Sequence, residues 1–232
     1  MARPDYPDSL FSYLNTLCQQ HEIAWDCACG NGQASIALTR YFDRVIATDA
    51  SGDQLAHAPR HKKIQYQIAR AEECFLPPGT VDLVTVAQAL HWLNLQEFYA
   101  NVRSVLKTKG VLAVWCYGLH RIDDTFDDVI DQLYNSVLGR YWPKERRLVE
   151  EAYKDLDFPF EEINSPNLVM IKTWTFQETM NYIESWSAVQ RYIKDRNANP
   201  LDLFRDRLLL SWGDKPKREI CWPMTLRIGV NG

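Results

Sequence analysis

The sequence predicts an α/β fold: a mostly parallel seven-stranded sheet with helices on both faces and a helical cap inserted before the last strands. Three observations predict it. Short apolar runs alternate with helix-period segments through residue 118, the order in which right-handed crossovers build a parallel sheet. A glycine-bearing turn, Gly30-Asn31-Gly32, joins the first run to the first helical segment. After Gly118 long helical stripes take over, and strand-like runs return only towards the end. Together these describe a Rossmann-like nucleotide-binding core.

Glu22 to Asp26 reads as the first strand and Gln33 to Phe42 as the helix behind the glycine turn. Arg44 to Asp49 is a second strand, followed by a helix from Ser51 to Ala58 that Pro59 stops. Ile64 to Ile68 alternates with period two, the mark of a half-covered strand. Val81 to Ala87 is a buried strand. Leu95, Phe98, Val102 and Leu106 share one helical face before the fifth strand, Val111 to Cys116. Beyond it, Ile122, Phe126, Ile130, Leu133 and Val137 form a helical stripe, and charged helical segments run to about Asp157. Leu168 to Trp174 reads as a strand. Phe176, Met180, Ile183 and Ile193 mark one long helix, and Leu201, Phe204 and Leu208 another. Glu219 to Val230 closes the sheet, with Pro223 favouring an edge or a bulge. The expected division is a core over 1–118, a cap over 119–165 and 176–215, and closing strands over 166–175 and 216–232.

The chain has 232 residues, 46% hydrophobic and 24% charged, so it is an ordinary globular chain able to bury a sizeable core. Its 26 Lys+Arg against 30 Asp+Glu leave a net charge of −4, without the basic footprint that phosphate backbones require, which argues against nucleic acid. None of the six cysteines forms Cys-x-x-Cys, and Cys27-x-Cys29 has neither zinc spacing nor a histidine pair, so no metal is expected. The thiols read as reduced, which with no bilayer-length apolar run and no signal peptide gives a cytoplasmic protein.

Chemistry concentrates at Asp26-Cys27-Ala28-Cys29-Gly30-Asn31-Gly32. Glycines let a backbone approach a ligand, and Asp49 at the end of the second strand can accept from both ribose hydroxyls, so the pair points to a nucleoside-containing cofactor. A dinucleotide fingerprint wants Gly or Ala where Ser35 stands. An acid ahead of the turn, Asp26, suits a cofactor with a free amino group, which favours S-adenosylmethionine over NAD.

Further motifs make the chain resemble the class I S-adenosylmethionine-dependent methyltransferases, and within them the trans-aconitate methyltransferase-like branch. They are Arg3-Pro4-Asp5-Tyr6-Pro7, the Asp26 to Gly32 turn, Thr48-Asp49-Ala50-Ser51, Ala71-Glu72, Ala87-Gln88-Ala89-Leu90-His91-Trp92 and Ala113 to Gly118. Gly139-Arg140-Tyr141-Trp142 and Tyr182 to Ala188 extend the likeness over nearly the whole chain. The resemblance implies that the backbone of Cys27, Ala28, Gly30 and Gly32 wraps the methionine part of the cofactor, with Asp26 near its amino group and Arg3 pairing with its carboxylate. Asp49 would hold the ribose, and Ala50, Ala71 and Glu72 would meet the adenine. Gln88 and His91 would face the methyl-transfer centre. Tyr6, Trp92, Tyr117 and Trp142 are candidate substrate contacts. Two departures stand out: Ala28 replaces the first glycine of the family turn, and only Met1 and Ala2 precede Arg3 where the family carries a segment covering the cofactor.

The resemblance implies methylation of a small molecule, with O-methylation of a carboxylic acid as the leading reading. A carboxylate has a pKa near 4 and needs no base at neutral pH, whereas a hydroxyl or phenol acceptor would need one, and His91 is the candidate. A catalytically silent partner-binding module is the non-enzymatic rival, and the retention of Asp26, Asp49 and His91 argues against it. Simpler readings exist for other residues. Of Trp115, Trp142, Trp186, Trp212 and Trp222 at least three read as packing, and Arg140, Lys144, Arg146 and Arg147 read as a solvated helix face neutralised by Glu150 and Glu151.

Overall fold

The computed structural model describes residues 4–73 and 76–232, and within them the chain divides into two compact units. The larger comprises Asp5–Tyr117, Leu148–Leu168 and Met224–Gly232; the smaller contains Gly118–Arg147 and Val169–Pro223. Residues 148–165, expected in the cap, therefore belong to the larger unit, while 169–175 and 216–223, expected with the core, belong to the smaller.

The strands are β1 (Ile23–Cys27), β2 (Arg44–Asp49), β3 (Ile64–Ile68), β4 (Val81–Ala87), β5 (Leu106–Tyr117), β6 (Glu161–Ile163), β7 (Leu168–Trp174) and β8 (Arg218–Val230). They form one sheet in the order β3-β2-β1-β4-β5-β8-β6, with β7 also paired to β8. The sheet thus has eight strands rather than seven. The extra strand is β6, whose three residues, two of them glutamates, are too short and polar to show a period. β1 to β5 are parallel, and β8 runs antiparallel to β5 and to β6.

Side-chain alternation sends successive residues of each central strand to opposite faces. Ala24, Leu83 and Ala113 pack with Leu10, Phe11 and Leu14 of α1 (Asp8–Leu17) and Leu38 of α2 (Gln33–Leu38). Trp25, Val84 and Leu112 pack on the other side with Phe98 and Val102 of α4 (Leu95–Val105). A short α3 (Gly52–Ala56) follows β2, capped by Ser51, whose hydroxyl accepts from the Gln54 N–H. The charged stretch after residue 147 crosses the second face: Val149, Tyr153 and Phe158 are buried in the same cluster.

The smaller unit holds α5 (Asp124–Gln132), α7 (Phe176–Glu184), α8 (Ser187–Arg196) and α9 (Arg205–Trp212); α6 (Arg146–Glu150) spans its boundary. The single helix expected from Phe176 to Ile193 is two helices. Ser185 ends α7, and Trp186 is extended (φ −63°, ψ 137°). Around it lies an aromatic cluster that includes Tyr134, Trp142, Tyr182 and Trp222. No helix among the described residues is long and apolar enough to cross a membrane.

Candidate active site

Because β1 to β4 are parallel, their carboxyl ends lie along one edge of the sheet, where α/β folds bind ligands. The turn after β1 reaches this edge in left-handed backbone at Ala28 (φ 52°), Gly30 (φ 57°) and Gly32 (φ 80°). Ala28 has thus kept the conformation that glycine adopts without strain. Gly32 has a second constraint: a Cβ there would stand 2.5 Å from the Tyr66 hydroxyl. The turn is tied to β2 by the Cys29 N–H donating to the Thr48 carbonyl at 2.9 Å. Asp49 completes the tie, accepting from the Gly30 N–H through Oδ2 and from the Ser51 N–H through Oδ1, both at 2.8 Å. Each carboxylate oxygen keeps a further lone pair for a ligand hydroxyl.

Asp26 is placed differently from expectation. Strand alternation turns it to the α2 face, where it is fully buried, accepting from Ser35 Oγ at 2.5 Å and from Thr85 Oγ1 at 2.8 Å. Burial pushes its carboxyl up to about 6, against the pull of these hydroxyl donors. It braces the turn from inside the core. The Cys27 side chain is likewise fully buried, so only its backbone enters the turn.

A cleft of about 340 Å³ opens beside the turn, lined by Ala28, Asp49, Ala50, Ala69, Arg70, Ala71, Glu72, Ala89, Trp92 and Leu93. Its chemistry fits an adenosine: a carboxylate for the ribose, and alanine methyls with one indole for a planar base. Glu72 is held in place, accepting from the Asn94 N–H at 2.8 Å and lying 3.5 Å from Arg70 Nε. The cleft therefore unites Ala28, Asp49, Ala50, Ala71 and Glu72. It also claims Trp92, expected to meet substrate and here 57% exposed on the cleft wall. Ala89, quoted within a motif but given no role, joins them with Ala69 and Leu93, since nothing distinguishes a lining alanine from a packing one.

The remaining candidates sit elsewhere. Gln88 has a positive φ of 57°; its N–H donates to the Trp115 carbonyl and its Nε2 to the Tyr117 carbonyl, both at 2.8 Å, joining the ends of β4 and β5. Tyr6 packs edge-on against Trp115 and Tyr117. Trp142 lies in the smaller unit, its ring 4.6 Å from that of Tyr134 and its Nε1–H donating to the Tyr134 carbonyl at 3.3 Å. Arg3 lies outside the described residues. No cluster of potential metal ligands occurs among those described.

His91 stands on the 3-10 turn Leu90–Trp92, between cleft-lining Ala89 and Trp92 in sequence. It is half-buried, with Nδ1 2.8 Å from the Tyr153 hydroxyl. Sequence reasoning missed Tyr153, an aromatic in the run Glu150-Glu151-Ala152-Tyr153-Lys154-Asp155 whose charges suggested a solvated surface.

A methyltransferase domain model matches residues 25–114. A Dictyostelium discoideum protein named as a methyltransferase is 32% identical over 230 residues, covering 96% of this chain and 88% of its own length. A Saccharomyces cerevisiae protein named as an S-adenosylmethionine-dependent methyltransferase is 26% identical over 249 residues, covering 89% and 84%. A solved structure from Anaeromyxobacter dehalogenans, described as a type II methyltransferase, superposes with a TM-score of 0.93 at 38% identity, covering 99% of this chain and 98% of the other.

Proposed function

The chain belongs to the class I S-adenosylmethionine-dependent methyltransferases, and from that premise we propose that it methylates a carboxylate oxygen of a small organic acid. The motifs from Arg3 to Ala188 support placing it in the trans-aconitate methyltransferase-like branch, and free thiols at the described cysteines support a cytoplasmic setting. S-adenosylmethionine is the cofactor; when bound it would supply an electrophilic methyl carried on a sulfonium. In this reading the 27–32 backbone takes the methionine part and Asp49 the ribose. Ala50, Ala71 and Trp92 enclose the base.

The observation that carries the carboxylate reading is His91, adjacent in sequence to cleft-lining Trp92 and with a phenol at its Nδ1. A phenol hydroxyl at Nδ1 fixes the ring by a hydrogen bond, as suits a histidine that orients an acceptor. An ionised carboxylate requires no proton transfer. His91 then orients the acceptor, and the enzyme's contribution is positioning, which reaches about 7–11 kcal/mol in model systems.

The test is a panel of small carboxylic acids and matched alcohols incubated with S-adenosylmethionine, with Asp49→Ala as the cofactor-binding control. Methyl esters should form from acids, and His91→Gln should keep that rate within about tenfold because its amide still donates a hydrogen bond. Hydroxyl methylation that His91→Gln lowers by about 10²–10⁴-fold, the range of a lost base, would sink the carboxylate reading and install His91 as that base.

A further inference from the structure

Tyr153 reaches His91 by an unusual route. Ala152 and Tyr153 are consecutive non-glycine residues in left-handed backbone, with φ 57° and 54°. Their N–H groups donate back to the Val149 and Leu148 carbonyls at 3.0 and 2.9 Å, closing α6. The chain then turns under the core, leaving the Tyr153 side chain 1% exposed.

That conformation is clamped from β8. Arg227 Nη1 donates to the carbonyls of both Tyr153 and Leu156 at 2.9 Å. Its Nε and Nη2 grip the two Glu162 oxygens, also at 2.9 Å, and its guanidinium lies 4.5 Å over the Phe158 ring. The Tyr99 hydroxyl donates to the Asp157 carbonyl at 2.9 Å, and Arg103 donates to that of Pro159. The phenol is thus positioned by the central sheet and α4, not by a free loop.

We propose that Tyr153 is the positioning residue of His91: its hydroxyl donates to Nδ1, places the imidazole proton on Nε2, and makes His91 a hydrogen-bond donor towards an acceptor oxygen that is already anionic. The direction of the bond follows from acidity. A phenol O–H is a far stronger acid than a neutral imidazole N–H, and an imidazole nitrogen a far stronger base than a phenol oxygen, so O–H···N is preferred to N–H···O. The bond at one ring nitrogen then decides which nitrogen carries the proton. Such a histidine cannot deprotonate a hydroxyl through Nε2, but it can hold a carboxylate oxygen in line. The substrate class thereby narrows to acceptors whose nucleophilic oxygen is ionised before binding. This inference rests on the reading of His91 as the acceptor-facing residue.

The test is histidine imidazole nitrogen NMR on the full chain, with and without S-adenosylhomocysteine, at a pH where His91 is neutral. The His91 signals are assigned by their loss in His91→Gln. The wild type should show a single Nε2–H tautomer. Tyr153→Phe should convert it to an averaged mixture while changing S-adenosylhomocysteine affinity less than twofold in calorimetry. An Nδ1–H tautomer in the wild type, which no variant is needed to see, overturns the proposal. So does a His91 spectrum unchanged by Tyr153→Phe. Acceptor methylation indifferent to His91→Ala would instead remove His91 from the site and leave the tautomer result standing.

Discussion

Ala28 occupies left-handed backbone at φ 52°, where a Cβ crowds the neighbouring carbonyl at a cost of roughly 1–2 kcal/mol. Glycine would relieve this but adds unfolded-state freedom worth about 0.4–1 kcal/mol. Ala28→Gly should therefore stabilise the protein by about 0.5–1 kcal/mol, read as a higher urea midpoint at constant m. A lower midpoint would show that the Ala28 methyl packing outweighs its strain. Asp26 was misleading in another way: it looks like a ligand contact in sequence, yet alternation along β1 turns its side chain into the core. Asp49 was legible because a carboxylate ending the second strand has a geometric reason to be there. The lining alanines were not, since a methyl advertises nothing about what it faces.

At the scale of elements, the parallel strands and α4 were readable because their apolar periods are strong, and α7 and α8 merged because a break at Ser185–Trp186 leaves the period nearly intact. The segment 148–160 was misplaced for a physical reason. Its attachment comes from backbone carbonyls gripped by Arg227 and Tyr99, and carbonyls are the same in every sequence. Arg227 also holds the Glu162 carboxyl below its usual range through their paired hydrogen bonds. Arg227→Met should cost about 2–4 kcal/mol, as charge-assisted bonds to two carbonyls are lost. Amide exchange over residues 152–160 should accelerate by more than the global loss of stability explains. Unchanged local protection would show that packing of Tyr153 and Phe158 holds the segment without the clamp.

Across the whole molecule, two buried groups give stability opposite dependences on pH. Asp26 has its pKa raised by burial to about 6, so its contribution is complete below the unfolded value of 3.8 and is lost as pH rises through 6. His120 is the reverse. It is fully buried among Phe126, Tyr182, Trp186 and Trp222, both ring nitrogens lack hydrogen-bond partners, and burial pushes its pKa down to about 3. Its neutral form folds, so stability is complete above 6.5 and is lost as pH falls towards 3. His120→Leu should gain on wild type by about 1.4 kcal/mol for each pH unit below 6.5, because the unfolded chain no longer takes up that proton. Urea titrations at pH 7 and pH 4 measure the difference. Parallel loss in both proteins would mean that the folded state protonates His120 without penalty.

The alanine walls of the cleft carry a consequence for engineering. Ala28, Ala50, Ala69, Ala71 and Ala89 have no rotamers to freeze, so on those walls the slot is set by main chain and is already shaped before its ligand arrives. Those side chains are also as short as they can be while keeping a Cβ. A slot of this kind can be narrowed by single substitutions, each longer side chain filling part of the cleft. On those walls it can be widened only by going to glycine, which trades a methyl for backbone looseness. If the slot takes the base as proposed, enlarged cofactor analogues can be admitted by moving Trp92, the largest side chain among the described residues of the wall.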